Sequence, residues 1–318
     1  MVKITQNKQI LLEEDHITYD HQKRRDMLNT EQRQALVKPM ALKPGLYLVS
    51  SPIGNLRDMT FRALDILSSA DIIVCEDTRV TGKLLSAYGF KKTLKTYNDH
   101  SDDVSRDYFI KLMRDEGKSI ALLSDAGTPL VSDPGYKLVQ CSIDQDVYIT
   151  TLPGANAVLP ALQLSGLPSN NFSFLGFLPN KSVARQKALQ EWDGVPGSLI
   201  IYESGQRLLD SLKDMRSVLK EREAAVMREI TKMYEESRRG TLSELIDYYE
   251  DNGTPKGEIV IVLGAETQEE LPQISIEEQL KSALKTMSVR DAAEMVSIAT
   301  GKPKKTIYTL ALKLATPS

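Results

Sequence analysis

Apolar residues recur along this chain with two alternating periods. Short apolar runs such as Leu46-Tyr47-Leu48-Val49, Ile72-Ile73-Val74-Cys75 and Ile120-Ala121-Leu122-Leu123 read as buried strands. Between them lie stretches whose apolar residues fall on one helical stripe. Examples are Phe61, Leu64 and Leu67 within Thr60 to Ser69, and Val104, Phe109, Leu112 and Met113 further on. Strands are predicted at 46–50, 71–75, 93–97, 119–123 and 147–152. Helices lie between them, and that alternation argues for a mostly parallel sheet. The pattern restarts at Phe172-Ser173-Phe174-Leu175, with strands at 198–202, 224–228 and 258–263 and helices around 183–191, 205–219 and 241–251. Beyond a Leu271-Pro272-Gln273 linker, three helices are predicted at 277–286, 288–300 and 306–314. Ser288 and Asp291 are spaced as a variant capping box.

The fold class is therefore α/β: two α/β/α domains followed by a small helical domain of helix-turn-helix type. The predicted divisions are a polar arm without clear period at 1–44, an α/β domain at 45–155, a second at 156–270 and a basic helical bundle at 271–318. A hydrophobic content of 41% supports sizeable cores. No apolar run reaches the roughly 18 residues that span a bilayer. The polar N-terminus has no apolar signal core, so a membrane or secreted location is not expected. Cys75 and Cys141 read as free thiols of a reducing cytosol. His16, His21 and His100 lack ligand spacing with them, so no metal site is expected.

Charge is unevenly spread. Residues 1–44 carry a net +2 and residues 279–318 a net +5, which leaves 45–278 at −10 within a total of −3. An acidic body is no general coater of nucleic acid, but a local basic patch still holds RNA. Lys302, Lys304 and Lys305, between the last two helices, are the candidates. The alternative is a solvated helical face or a dimer-stabilising appendage.

The candidate chemistry sits where strands end. Ser124-Asp125-Ala126-Gly127-Thr128-Pro129-Leu130-Val131-Ser132-Asp133-Pro134-Gly135 follows one strand and precedes a helix. Ligands of open α/β sheets bind outside the carboxyl ends of the strands. Gly127 permits close backbone approach, Pro129 and Pro134 stiffen the loop, and Asp125 and Asp133 add acceptors. Ser51-Pro52-Ile53-Gly54-Asn55-Leu56 is a second such loop, and Leu152-Pro153-Gly154-Ala155-Asn156-Ala157 a third. Glu76-Asp77-Thr78-Arg79 ends a buried strand, so its charges belong to a site or to an ion-pair cluster. His100 also follows a strand and is either a proton acceptor or a structural hydrogen bonder. Arg207, Arg228 and Lys232, with Glu229, contact RNA or form an interdomain salt bridge. Gly-x-Gly-x-x-Gly and Walker-type phosphate loops are absent, which argues against an NAD dehydrogenase or a nucleotide hydrolase.

Ser-Pro-Ile-Gly-Asn-Leu at 51–56, Glu-Asp-Thr-Arg at 76–79, Asp-Ala-Gly-Thr-Pro at 125–129, Gly176-Phe177-Leu178-Pro179, Tyr202-Glu203-Ser204 and Arg228-Glu229-Ile230-Thr231-Lys232 occur in an informative order. Together they resemble the family of bacterial ribosomal RNA small subunit methyltransferase I. That family lies in the tetrapyrrole-methylase-like class of S-adenosylmethionine (SAM) enzymes. The likeness runs from about Gly45 to Leu314. It implies a SAM cleft between the two α/β domains, bordered by Pro52, Asp125, Ala126, Gly127, Thr128, Val131, Asn156, Ala157, Tyr202, Glu203, Ile230 and Thr231. It implies a cytoplasmic homodimer that methylates the ribose 2′-hydroxyl of a cytidine in the decoding region of 16S rRNA, free or within the small ribosomal subunit. Glu76, Asp77, Arg79 and His100 stand as catalytic candidates. Gly205-Gln206-Arg207 departs from the family's common His-Arg pair. Two other readings stay open, a tetrapyrrole C-methyltransferase and a non-catalytic RNA-binding factor that retains a SAM fold.

Overall fold

The structure, a computed structural model, describes residues 37–98, 103–265, 276–300 and 302–315. The chain divides into two compact units at residues 265 and 266. The first holds two five-stranded sheets. Among the described residues, the second holds helices only.

The first sheet contains β1 (Gly45–Val49), β2 (Ile72–Cys75), β3 (Leu94–Thr96), β4 (Ser119–Leu123) and β5 (Ile149–Leu152). Its order is β3-β2-β4-β1-β5, and every pair is parallel. Alternation along each strand sorts its side chains to two faces. Tyr47, Val49, Ile73, Ala121 and Leu123 pack with α1 (Phe61–Ser69) and α2 (Thr78–Ala87). Leu46, Val74, Ile120 and Leu122 pack with α3 (Asp103–Arg114) and α4 (Tyr136–Asp144). The neighbouring strands β1 and β4 thus send their following helices, α1 and α4, to opposite faces. That is a switch point, where a crevice opens at the strands' carboxyl ends.

After α5 (Val158–Ser165) the second sheet follows with β6 (Phe172–Phe177), α6 (Ser182–Gln190), β7 (Ser198–Ser204), α7 (Leu208–Leu219), β8 (Glu223–Arg228), β9 (Glu236–Thr241), α8 (Leu242–Asn252) and β10 (Glu258–Leu263). Its order is β6-β7-β10-β8-β9, with only β6 and β7 parallel. One face carries α6, α7 and α8 against Leu199, Ile201, Val226 and Ile261. The other takes α5 together with Ile53 and Val131 from the first sheet's loops, against Ile200, Met227, Val260 and Val262. That shared core joins the two sheets.

Two elements depart from the sequence reading. β9 is absent from the predicted strands. Its residues, Glu-Ser-Arg-Arg-Gly-Thr, contain no apolar run, and pairing with β8 from Glu223↔Thr241 to Arg228↔Glu236 makes the strand. The helix predicted from 205 begins at Leu208, after a 3-10 turn at Gly205–Arg207. In the second unit, α9 (Ile276–Ala283), α10 (Val289–Thr300) and α11 (Lys304–Ala315) share a small core of Leu280, Ala292, Ala293, Val296, Ile307 and Ala311. Ser288 caps α10, accepting from the Asp291 amide at 3.3 Å while donating its hydroxyl to the Asp291 carboxylate at 2.7 Å.

Candidate functional site

Loops leave the carboxyl ends of β1, β2, β4 and β5 along one edge of the first sheet, and three of them are tied together. Ser51 N–H donates to Gly127 O at 2.8 Å, and Gly127 N–H donates to Ser51 O at 3.0 Å. The Thr128 hydroxyl donates to Ala155 O at 3.1 Å and lies 3.1 Å from Ser50 Oγ. Ser124 Oγ donates to Gly127 O at 2.6 Å. Gly127 has φ +84°, and a Cβ there would stand 3.4 Å from Ile53 Cγ2 and 3.8 Å from Ala155 O. The positive φ of the turn therefore favours glycine, whereas a Cβ would meet its neighbours only at ordinary contact distance.

A second clamp joins this edge to the other sheet. Ile53 and Ile230 share one core. Gly54 has φ +146°, and a Cβ on it would stand 2.8 Å from Lys232 Cε, with Cγ closer still. The Lys232 stem is thus laid across a glycine, which ties Ser-Pro-Ile-Gly-Asn-Leu to Arg-Glu-Ile-Thr-Lys. Lys232 Nζ is held by Glu229 Oε1 at 3.0 Å and Glu258 Oε2 at 2.8 Å. Burial raises the Glu229 carboxyl, but the Glu258 amide and the Lys232 ammonium outweigh it and leave it below its ordinary value. Glu229 and Thr231 both adopt positive φ, at 48° and 70°. Among the described residues, the buried hydroxyls of Ser51 and Thr231 have no hydrogen-bond partner.

Three carboxyl groups converge beside the β4 loop. Burial first, then the charges of Glu76 and Asp125, push Asp133 up to about 6. Burial also raises Asp125, against a 3.3 Å hydrogen bond from the Asp77 amide, and the Asp77 charge adds to the rise. Asp77 is drawn down to about 2 by hydrogen bonds from Arg79. It caps α2 through the Arg79 amide and pairs with the Arg79 guanidinium at 2.6 Å, and that side chain is 85% exposed. Within Glu-Asp-Thr-Arg, the ion-pair reading therefore describes Asp77 and Arg79, while Glu76 faces the carboxyl cluster. Across the cleft, burial and the Asp133 charge push the Tyr202 hydroxyl up to about 12, against a hydrogen bond with the Ala157 backbone.

The predicted site residues separate into groups. Pro52, Asp125, Ala126, Gly127, Thr128, Val131, Asn156, Ala157, Tyr202, Ile230 and Thr231 lie on the clasped loops or on the facing end of the second sheet. The Asn156 side chain is partly committed, since it accepts from the Leu159 amide at 2.9 Å. The Glu203 side chain turns to the opposite face from Tyr202, as strand alternation requires. There it accepts from Ser204 N at 2.8 Å and from Ser211 Oγ at 2.5 Å, with Arg207 Nε 3.2 Å away. Arg207 also donates to Asn180 Oδ1 and, at 2.8 Å, to Leu178 O, so it braces the Gly-Phe-Leu-Pro turn. Arg228 donates to Lys256 O at 2.9 Å and lies 5.7 Å over the Tyr234 ring. In the second unit Lys302 and Lys305 are exposed and Lys304 pairs with Glu294 at 2.7 Å. His100 lies outside the described residues. Ser51, Gly54 and Asp133 carry more of the site than their types announced, and only their places in the strand-end motifs could have flagged them. A groove of about 370 Å³ lined by Lys43, Tyr47, Asp65 and Tyr148 meets these loops only at Leu152, the last residue of β5.

Comparison with known proteins adds the family. The profile of the Tetrapyrrole (Corrin/Porphyrin) Methylases matches residues 45–246, and that of the RsmI C-terminal HTH domain matches 270–315. A protein named ribosomal RNA small subunit methyltransferase I from Mesorhizobium japonicum is 45% identical, covering 88% of this chain and 96% of its own. A protein of the same name from Escherichia coli O157:H7 is 40% identical over 84% and 94%. Among solved structures, a diphthine synthase superposes with a TM-score of 0.52 at 16% identity, over 69% of this chain and 89% of that one. The methyltransferase CobJ superposes at 0.51, also at 16% identity, over 70% and 94%. These two speak for the fold alone.

Proposed function

This chain belongs to the family of ribosomal RNA small subunit methyltransferase I, within the tetrapyrrole methylases, and from that premise we propose that it transfers a methyl group from SAM to the ribose 2′-hydroxyl of a cytidine in the decoding region of 16S rRNA. The observation that carries the reading is the clasp of the β1, β4 and β5 loops around Gly127, with the orphaned Ser51 and Thr231 hydroxyls on its two sides. Buried hydroxyls without partners are costly unless a ligand satisfies them.

The residues present fit SAM. Ser51 and Thr231 offer buried hydroxyls, the exposed Ala126 beside the clasp offers open backbone, and the apolar Ile53, Val131 and Ile230 line the junction. Asp125 offers a carboxylate to a cationic ligand. SAM, when bound, supplies an electrophilic methyl on a sulfonium. The chain's part is to hold acceptor and donor in line, which is worth much of such a barrier. It must also take the hydroxyl proton. Asp133 is ionised above pH about 6, yet is more basic than an ordinary carboxylate, so its carboxylate oxygen is the acceptor we assign.

The net +5 of residues 279–318 supports RNA engagement through Lys302 and Lys305, and a small porphyrinoid would not call for such a basic segment. Among the described residues no helix is long and apolar enough to cross a membrane. A cytoplasmic homodimer completes the proposal, and light scattering should give about twice the 35.5 kDa chain mass. The test of function is primer extension at low nucleotide concentration on 16S rRNA from a strain lacking this gene. The stop at one decoding-region cytidine should vanish in that strain and return with the gene. A stop that persists without the gene overturns the assignment.

A further inference from the structure

The β6 edge strand holds a feature that SAM binding does not require. Strict alternation in Phe172-Ser173-Phe174-Leu175-Gly176-Phe177 would place Phe174 and Phe177 on opposite faces. The pairing with β7 instead shifts between Phe174 and Gly176, so Phe174 faces Ile200 and Phe177 faces Tyr202. Leu175 is the extra residue of a bulge, and bulges re-aim side chains beside active sites. Three rings then gather on one face. Tyr202 lies edge-on to Phe174 at 4.8 Å and to Phe177 at 5.4 Å between centroids. Phe174 is partly buried in the shared core, whereas Phe177 remains 60% exposed. The cluster adjoins the β4 loop on two sides. A Cβ on Gly176 would lie 3.1 Å from Ser132 Oγ, and Tyr202 senses the Asp133 charge.

We infer that Phe177 is a stacking platform for a nucleobase of the RNA substrate, at or next to the methylated nucleotide. The inference rests on the proposed function. A 2′-hydroxyl brought to the donor carries its own base within one nucleotide's reach of this ring. Proteins that read unpaired RNA stack its bases on aromatic side chains. The T-shaped contact with Tyr202 holds the Phe177 ring, and the 60% exposure of Phe177 leaves ring surface for the base. Such a contact raises affinity for RNA and leaves the cofactor's sites untouched.

Methylation kinetics on small-subunit RNA with Phe177→Ala and Phe177→Trp, alongside calorimetry with SAM, test this. Stacking on an aromatic ring is worth about 1–3 kcal/mol per base, so Phe177→Ala should raise the KM for RNA by roughly five- to a hundred-and-fiftyfold. SAM affinity should stay at the parent value. Phe177→Trp should keep KM within about threefold, since the larger ring still stacks, and substrate RNA should quench its added indole fluorescence. Unchanged KM in Phe177→Ala, or no quenching in Phe177→Trp, overturns the platform. So does a halved mass of Phe177→Ala in light scattering, which would make the ring a contact between copies of the chain. A parent protein that methylates no rRNA fails the underlying function instead, and the quenching arm then still decides whether RNA meets this ring.

Discussion

Replacing Gly54 by alanine tests the clamp that joins the first sheet's β1 loop to the second sheet. Two costs arise. Alanine must adopt φ +146°, a backbone region nearly reserved for glycine, at about 1–3 kcal/mol. Its methyl also meets the Lys232 stem, 2.8 Å from Cε and 3.0 Å from Cδ. Overpacking of that kind costs about 1–3 kcal/mol if Lys232 stays. If Lys232 swings away instead, its pairs with Glu229 and Glu258 are lost. Both are partly open to solvent, so that route costs about 1 kcal/mol. The cheaper route wins, and the expected loss is about 2–4 kcal/mol. Urea unfolding followed by circular dichroism measures it. SAM affinity should fall with it, since the clamp carries the Ser51 and Thr231 hydroxyls. Adding Lys232→Ala removes the steric part but not the backbone part. The double-mutant cycle should therefore show a coupling of about 1 kcal/mol that favours the double variant. A Gly54→Ala protein within about 0.5 kcal/mol of the parent, or strictly additive effects, refutes the clamp.

Gly127→Val should abolish measurable SAM binding in calorimetry while the far-ultraviolet spectrum stays native, because φ +84° forces strain into the clasp itself; an unchanged affinity would remove this loop from the site. For Asp133 the folded value of about 6 lies above the ordinary 3.8, so the folded state binds more protons between those values and stability falls as pH rises through that window. Asp133→Asn should accordingly raise the melting temperature above pH about 6 and leave it unchanged below about 3.8, and should flatten the acid limb of the methylation rate near pH 6; a melting difference that is constant with pH would contradict the assignment. Replacing Lys302, Lys304 and Lys305 together by Glu should spare SAM affinity, cut rRNA methylation and weaken the salt dependence of RNA binding, and a normal methylation rate would make the basic turn structural.

The strands were readable wherever burial writes itself as an apolar run. Ile72-Ile73-Val74-Cys75 and Ile120-Ala121-Leu122-Leu123 are central strands covered on both faces, and central parallel strands show that pattern. β9 was not readable, because Arg238 and Arg239 sit at an edge where pairing rather than burial makes the strand. The loops were legible from glycine and proline at strand ends, and the clasp at Gly127 follows from them. Their partners were not. Nothing in Arg-Glu-Ile-Thr-Lys says that the Lys232 stem lies on Gly54, or that its ammonium is engaged by Glu229 and Glu258. Tyr202 and Glu203 are adjacent in sequence, but strand alternation sends their side chains to opposite faces. Phe177 reverses that lesson, because a bulge overrides the alternation that the sequence would suggest.

Methyl transfer from SAM to a ribose hydroxyl leaves a mark that alkali reveals. Purified protein is incubated with small-subunit RNA and SAM carrying a labelled methyl group, and the RNA is then hydrolysed in alkali. Alkaline cleavage uses the 2′-hydroxyl as its nucleophile, so a 2′-O-methyl group protects the adjoining phosphodiester. The label should appear in one alkali-stable dinucleotide that begins with cytidine. Label in an alkali-released mononucleotide, which marks a methylated base, or no label in RNA at all, would contradict it.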